Sequence, residues 1–418
     1  MVSPMNAPSG IVPTERPTER AGLDRVLACP SIPELRYTAP PAVTRALALL
    51  GRTEDVCFSP NDRRLAVAAL GRNRIAVFDV DLGPFSRDAQ IALTGGLELS
   101  SPALEQPHGV DFIDDDTVIV TSRGGGVAVF KVPPGETGVP PHEVRPVASW
   151  PATGTPFDVP GSVSVDRIDR DSYEILVCNN GGNSVTHHRL EGNARPRISS
   201  SRVVLRKYLD IPDGVAVSRD RQWIAISNHN TQNVLLYDNS RALDADTEPD
   251  GILRCVYYPH GLAFSGDGRH LFVADAGAPY LHVFAQGPDR WHGVHHPVAT
   301  FRVMEEAVFL RGRRSPAQGG PKGLDIDAGS NVVVVTSECQ PLAFFDVATL
   351  LEQPLANGSA SEQRLLDTRY ELMLLRKSDA TARKVAAIID GYQNSTSWRI
   401  TAPLRQLKSA FRREPPPG

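Results

Sequence analysis

The sequence predicts an all-β chain: a six-bladed β-propeller of four-stranded blades, closed by an N-terminal strand and followed by an α-helical tail. The prediction rests on a phrase that recurs about every fifty residues, within the range of propeller blades. It rests also on the strand–turn–strand–loop–strand order inside each copy, and on one further apolar run between copies. The clearest copy is "PHGLAFSGDGRHLFVADAGAPYLHVF" from Pro259. Its companions are "EDVCFSPNDRRLAVAALGRNRIAVFDV" from Glu54 and "PHGVDFIDDDTVIVTSRGGGVAVFKV" from Pro107. Then come "PGSVSVDRIDRDSYEILVCNNGGNSVTHHRL" from Pro160, "PDGVAVSRDRQWIAISNHNTQNVLLYDN" from Pro212 and "PKGLDIDAGSNVVVVTSECQPLAFFDV" from Pro321.

Within each copy the strands are short and rich in Val, Ile, Leu and Phe, as suits sheets covered on both faces by neighbouring blades. The turns carry Pro, Asn, Asp or Gly, which tolerate tight reversal. Fourth strands are read in "VVLRKYL" before Pro212, "ILRCVYY" before Pro259 and "ATFRVM" before the sixth copy. The sixth copy has three strands and then turns helical. Its fourth is expected from the other end of the chain, in "RALALL" just before Glu54. A blade shared by both ends closes the ring and leaves no long open edge. A seventh blade between Gly287 and Gly320 is the competing count, but that stretch offers one convincing strand. The expected organisation is a disordered lead over residues 1–42, the propeller over 43–350, and a linker with a basic amphipathic tail over 351–418.

Composition narrows the function classes. The chain has 418 residues and a formal net charge of -4, with both signs plentiful, which gives no global attraction to nucleic acid. Five cysteines stand singly, as reduced thiols would, and not in a disulfide or zinc pattern. The N-terminal residues lack a signal-peptide core, and no apolar run is long enough for a membrane helix. A cytoplasmic protein is expected.

The first strand of each blade lines a propeller's axis, so the residue before the Gly of each "PxG" is expected at the channel mouth. Those residues are Glu54, His108, Gly161, Asp213, His260 and Lys322. The ends of the second strands add Ser122, Asn179, Asn228 and Asp275 on the same face. Glu54, Asp213 and His260 offer the donors that a divalent cation (Ca, Zn or Mn) takes. His108 or Asp213 would then serve as general base to a metal-bound water. A solvated charge network is the plainer alternative. The connector "MEEAVFLRGRRSPAQGG" beside Lys322 places Arg311, Arg313 and Arg314 where they would recognise the phosphate or carboxylate of a small anionic or sugar-type ligand. "WHGVHH", with His292, His295 and His296, reads as surface. No G-x-S-x-G elbow or phosphate loop is present.

The repeat pattern resembles the propellers of the NHL, YVTN-repeat and SMP-30/gluconolactonase-like group over about three quarters of the chain. That resemblance implies a metal-dependent lactonase with a Glu in the first blade, which Glu54 matches. Asp213 and His260 stand where Asn and Asp would be expected, and Gly161 supplies no side chain.

After about residue 360 the period changes to that of a helix in "RYELMLLRKSDATARKVAAIIDGY", with Leu375, Ala382 and Ile389 on one stripe. The following "STSWRITAPLR" resembles a C-terminal signature of bacterial glycosyltransferases and companion proteins of cell-surface polysaccharide synthesis. In the basic end, Leu404, Leu407 and Phe411 share a face beside Arg405, Lys408, Arg412 and Arg413. Such a segment suits a glycosyltransferase partner or peripheral contact with the inner membrane. Two functions are therefore expected as alternatives. One is a non-catalytic ligand-binding or scaffold propeller in surface-glycan synthesis; the other is a metal-dependent lactonase at the channel mouth.

Overall fold

The computed structural model describes residues 29–83, 90–134, 140–152, 155–192, 195–313 and 318–352. The chain divides into two units, Met1–Asn357 and Gly358–Gly418, and all described residues fall in the first. Six sheets follow one another along the sequence. Their innermost strands are Asp55–Phe58, Pro107–Asp114, Pro160–Arg167, Pro212–Val217, Pro259–Phe264 and Pro321–Ile326. Each of these packs on the next and the sixth packs on the first, which closes a six-bladed propeller. Between neighbouring sheets the faces interlock in dry layers. Blades 4 and 5, for example, bury Trp223, Leu236, Leu253, Val273, Phe284 and Trp291 together.

The recurring Pro-x-Gly has a structural consequence. In blades 2 to 6 the pairing of the first two strands shifts register directly after the Pro: at Pro107/Gly109, Pro160/Val163, Pro212/Val215, Pro259/Leu262 and Pro321/Leu324. Such a bulge re-aims the residue inside it. The glycine is required by close approach: a Cβ on Gly261 would collide with the Lys322 carbonyl, and one on Gly323 with the Asp55 backbone. Blade 1 has no Pro and pairs from Asp55 with Ala68 to Phe58 with Leu65 without a shift.

The chain ends close the ring differently from expectation. "RALALL" lies in the α-helix Pro41–Leu49, not in a strand. Proline in its first turn and Ala/Leu-rich composition favour helix, and Val43, Ala46 and Leu47 bury one of its faces. The outer edge of blade 6 is met instead by Leu35, which bridges Phe344 and donates its N–H to the Phe344 carbonyl at 2.7 Å. The lead is accordingly ordered from Pro30 onward: Ile32 is buried and Tyr37–Thr38 pairs in parallel with Ile91 and Ala92. Apolar residues at Ile32, Leu35 and Tyr37 give this segment something to bury, which a purely disordered lead would lack.

"WHGVHH" is also not simply surface. Trp291 is fully buried with its indole N–H on the Gly268 carbonyl at 3.1 Å, and Gly293–His295 adds a parallel strand to Gly251–Leu253. None of the five cysteines forms a disulfide among the described residues, and Cys57 and Cys178 are buried. Among the described residues no helix is long and apolar enough to cross a membrane. The predicted tail helix and "STSWRITAPLR" lie outside the described residues.

Candidate functional site

The bulges of blades 2, 4, 5 and 6 and the residue before the unbulged first strand of blade 1 supply the axis, where five of the six expected residues meet as a buried cluster. Glu54, His108, Asp213, His260 and Lys322 are all at most 1% exposed. Gly161 leaves the blade 3 position without a side chain. Lys322 Nζ donates to Glu54 Oε1 at 3.1 Å and to Glu338 Oε2 at 3.4 Å. Arg52 Nε also donates to Glu54 Oε1, and its Nη2 to Gln318 at 3.4 Å.

The imidazoles crowd the two carboxylates. His260 Nε2 lies 3.3 Å from Glu54 Oε2 and 3.1 Å from Asp213 Oδ2. His108 Nε2 lies 3.8 Å from Glu54 Oε2 and 3.4 Å from Asp213 Oδ1. His229 Nε2 lies 3.4 Å from Asp213 Oδ2. Close as these atoms are, they are not aligned as hydrogen bonds. Glu54 Oε2, Asp213 Oδ2, His229 Nε2 and both ring nitrogens of His108 and His260 are buried without a hydrogen-bond partner. Buried polar atoms are rarely left so. The rings are held apart by packing: His108 stacks on His260 with centroids 5.3 Å apart, and Tyr258 covers His229 at 4.0 Å.

Electrostatics divides the protons cleanly. Burial alone would raise Glu54, but Lys322 and the imidazoles of His260 and His108 outweigh it and hold the carboxyl well below its usual range. Asp213 is likewise lowered, burial being overcome by His108, His260 and His229. His108 is pushed down to about 3 by burial, with Arg123 adding to the effect against the pull of Asp213 and Glu54. His229 is lowered by burial in spite of Asp213. The carboxylates therefore keep their charge while His108 and His229 keep free lone pairs, the states in which both bind metals.

Four further residues of the cluster escaped sequence reading. In blades 2, 3, 4, 5 and 6 the Pro of the first strand pairs with Ser122, Asn179, Asn228, Asp275 and Ser337. The residue after each, Arg123, Asn180, His229, Ala276 or Glu338, opens the loop toward the axis. Asn180 Nδ2 donates to Asp213 Oδ1 at 2.9 Å, and Arg123 Nη2 stands 3.7 Å from the same oxygen. The expectation thus fell one residue short. Asn179, Asn228 and Asp275 instead bind the loops that lead into the first strand of their own blades. Asn179 accepts from Asp158 N–H at 3.0 Å and Asn228 from Asp210 N–H at 2.7 Å. Asp275 accepts from the N–H groups of Tyr257 and Tyr258 at 2.8 and 2.9 Å. Alternation along a strand sends neighbours to opposite sides, so aligning the residue after each strand end would have found the second ring.

The connector reaches the mouth through Gly312 and Gln318. Gly312, at the end of the helix Glu306–Gly312, sits against Glu338, and Gln318 meets Arg52. Arg311 is exposed, Arg313 is half-buried beside Gly319, and Arg314 lies outside the described residues.

No family model matches this chain. No curated protein matches it either. Solved structures do. A functionally unknown protein from Desulfotomaculum acetoxidans DSM 771 aligns at 10% identity and TM-score 0.44, over 71% of this chain and 83% of that one. A nidogen/laminin complex aligns at 13% identity and TM-score 0.43, over 72% and 90%. The Dos1 propeller aligns at 11% identity and TM-score 0.40, over 71% and 68%.

Proposed function

We propose that this is a ligand-binding propeller whose channel mouth holds one divalent transition-metal ion through Glu54, His108, Asp213, His229 and His260. The observation that carries the reading is the convergence of unpartnered, buried donor atoms. Those of Glu54, His108 and His260 lie within 4.8 Å of one another, as do those of Asp213, His229 and His260. Donors bound about 2.0–2.2 Å from a common ion lie about 3 Å apart at right angles and about 3.6 Å apart at 120°. Four of the five imidazole–carboxylate separations, 3.1 to 3.4 Å, fall within these edges, and the fifth, His108 to Glu54, is 3.8 Å. Imidazole with carboxylate suits Zn or Mn, whereas Ca prefers an all-oxygen shell. Full-length protein loaded with Zn(II) or Mn(II) and desalted is expected to retain about one ion per chain, as measured by elemental analysis. Glu54→Gln and His260→Ala should lose it. A wild-type protein that retains no ion overturns the reading.

A hydrolytic function is the second reading, favoured by His108, which stays neutral beside Asp213 and so has a base's free lone pair. In that case His108 or Asp213 would stand off the ion, which the other four residues would hold; the ion would lower the pKa of a bound water and the uncoordinated group would orient or accept its proton. Turnover of a lactone panel by metal-loaded protein, abolished by chelation, supports it; a loaded protein that turns over none leaves binding alone. Association with surface-glycan synthesis rests on "STSWRITAPLR" only. Deleting residues from Asn394 onward should release the protein from membrane fractions or glycosyltransferase partners, and unchanged fractionation counts against it.

A further inference from the structure

We infer that the metal-loaded chamber takes a small oxyanion bearing a hydroxyl group, held by Arg123 and Asn180; this rests on the metal reading above. The Arg123 side chain makes no hydrogen bond among the described residues, although its backbone N–H donates to the Gln106 carbonyl at 3.0 Å. Its Nη2 stands 3.7 Å from Asp213 Oδ1, and its Nε is buried without a partner. The side chain is a quarter exposed at the mouth, but its Nε–H is cut off from water with no acceptor; such a donor is costly, and an anion oxygen is the partner the planar fork fits.

Asn180 supplies the complementary half. Ionised Asp213 can only accept, so the Asn180 amide must turn its NH2 toward Asp213 Oδ1. That fixes Oδ1 as an acceptor, and it too is buried with no partner. Asn180 fits there because blade 3 has Gly161 in its mouth position: a Cβ at Gly161 would strike Asn180 Oδ1. One ligand that offers an oxygen to Arg123 and an O–H to Asn180 would satisfy both.

Charge requires the same partner. The carboxylates Glu54, Asp213 and Glu338 are matched one for one by Lys322, Arg52 and Arg123. These three acidic and three basic side chains balance in number. A divalent ion then leaves an excess positive charge in a site shielded from water, where an unpaired charge is expensive. An anion with one oxygen on the metal and another on Arg123 offsets it.

The test uses Zn(II)-loaded full-length protein, freed of excess metal and titrated by calorimetry with glycolate, inorganic phosphate at neutral pH, and acetate as the oxyanion without a hydroxyl. Glycolate or phosphate, or both, should bind at least tenfold tighter than acetate; which one binds assigns carboxylate or phosphate. Arg123→Gln should weaken the preferred anion at least tenfold while elemental analysis shows unchanged Zn. Asn180→Ala should abolish only the advantage over acetate. Acetate binding as tightly as both others, binding of none, or an Arg123→Gln variant that binds like wild type overturns the inference and leaves the metal reading standing. Failure to retain Zn at all removes both.

Discussion

Buried carboxylates occupy two levels of the central channel, and they behave oppositely. At the mouth, Glu54 and Asp213 have cations beside them, stay ionised, and each leaves one oxygen without a partner. Deeper in the bore, Asp55, Asp111 and Asp325 line a cavity of about 190 Å³. There each carboxylate spends one oxygen on its own strand and the other on the next blade. Asp325 accepts from Phe58 N–H at 2.7 Å, Asp55 from Val110 N–H at 3.2 Å and Asp111 from Val165 N–H at 2.7 Å. With no cation to offset it, burial pushes Asp111 and Asp325 up to about 7. The bore aspartates stitch blades 6, 1, 2 and 3 together across the seam where the ring closes. Among the described residues blade 6 has three strands, with the Leu35 bridge beyond them. The difference teaches how to tell scaffold from site: burial and charge are common to both, and the unpartnered atoms belong to one.

The largest expected effect is at the mouth. Lys322→Met leaves Glu54 and Glu338 facing each other without their buried cation, and should cost about 3–5 kcal/mol in chemical denaturation. A loss under about 1 kcal/mol would mean that the carboxylates do not depend on that charge.

Next come opposite pH dependences. Asp111 and Asp325 hold protons in the folded chain that an unfolded carboxyl releases near its ordinary value of 3.8. Their contribution is fully present below that value and declines as pH rises to about 7, by a few kcal/mol in order of magnitude. Glu54 and Asp213, held low, contribute above the ordinary carboxylate range and lose that contribution as pH falls through their depressed values. Urea unfolding across pH should therefore show an Asp325→Asn variant with a shallower decline toward neutrality and an unaltered acid limb. A variant with the wild-type slope would break the contrast.

The smallest test sets two adjacent asparagines against each other. Asn179→Ala removes hydrogen bonds to Asp158 N–H, to Thr186 and to the Val177 carbonyl, and should cost about 1–3 kcal/mol. Asn180→Ala loses one bond, to Asp213, and should cost about 1 kcal/mol or less. Reversal of that order, read from thermal or urea unfolding, would exchange their roles.

Much of the architecture was legible because it is local and repeated. Alternating apolar runs, turn residues and the Pro-x-Gly phrase fix six sheets and mark which residue of each first strand faces the axis, and Glu54, His108, Asp213, His260 and Lys322 meet as that spacing requires. The closing element was not legible. "RALALL" satisfies helix and strand patterns alike over so short a run, and the edge of blade 6 chose Leu35 by what lay beside it. The inner loop ring was missed by one position, since Arg123, Asn180 and His229 directly follow the strand ends Ser122, Asn179 and Asn228 and Glu338 follows Ser337.

The amino-acid order by itself thus determined the blade count and the first ring of polar side chains, since periodicity is a property of neighbours along the chain. Only the closed tertiary structure decided which atoms are left without partners. Satisfaction of a buried donor or acceptor depends on groups from different blades arriving within a few ångströms, and no spacing in the sequence records that.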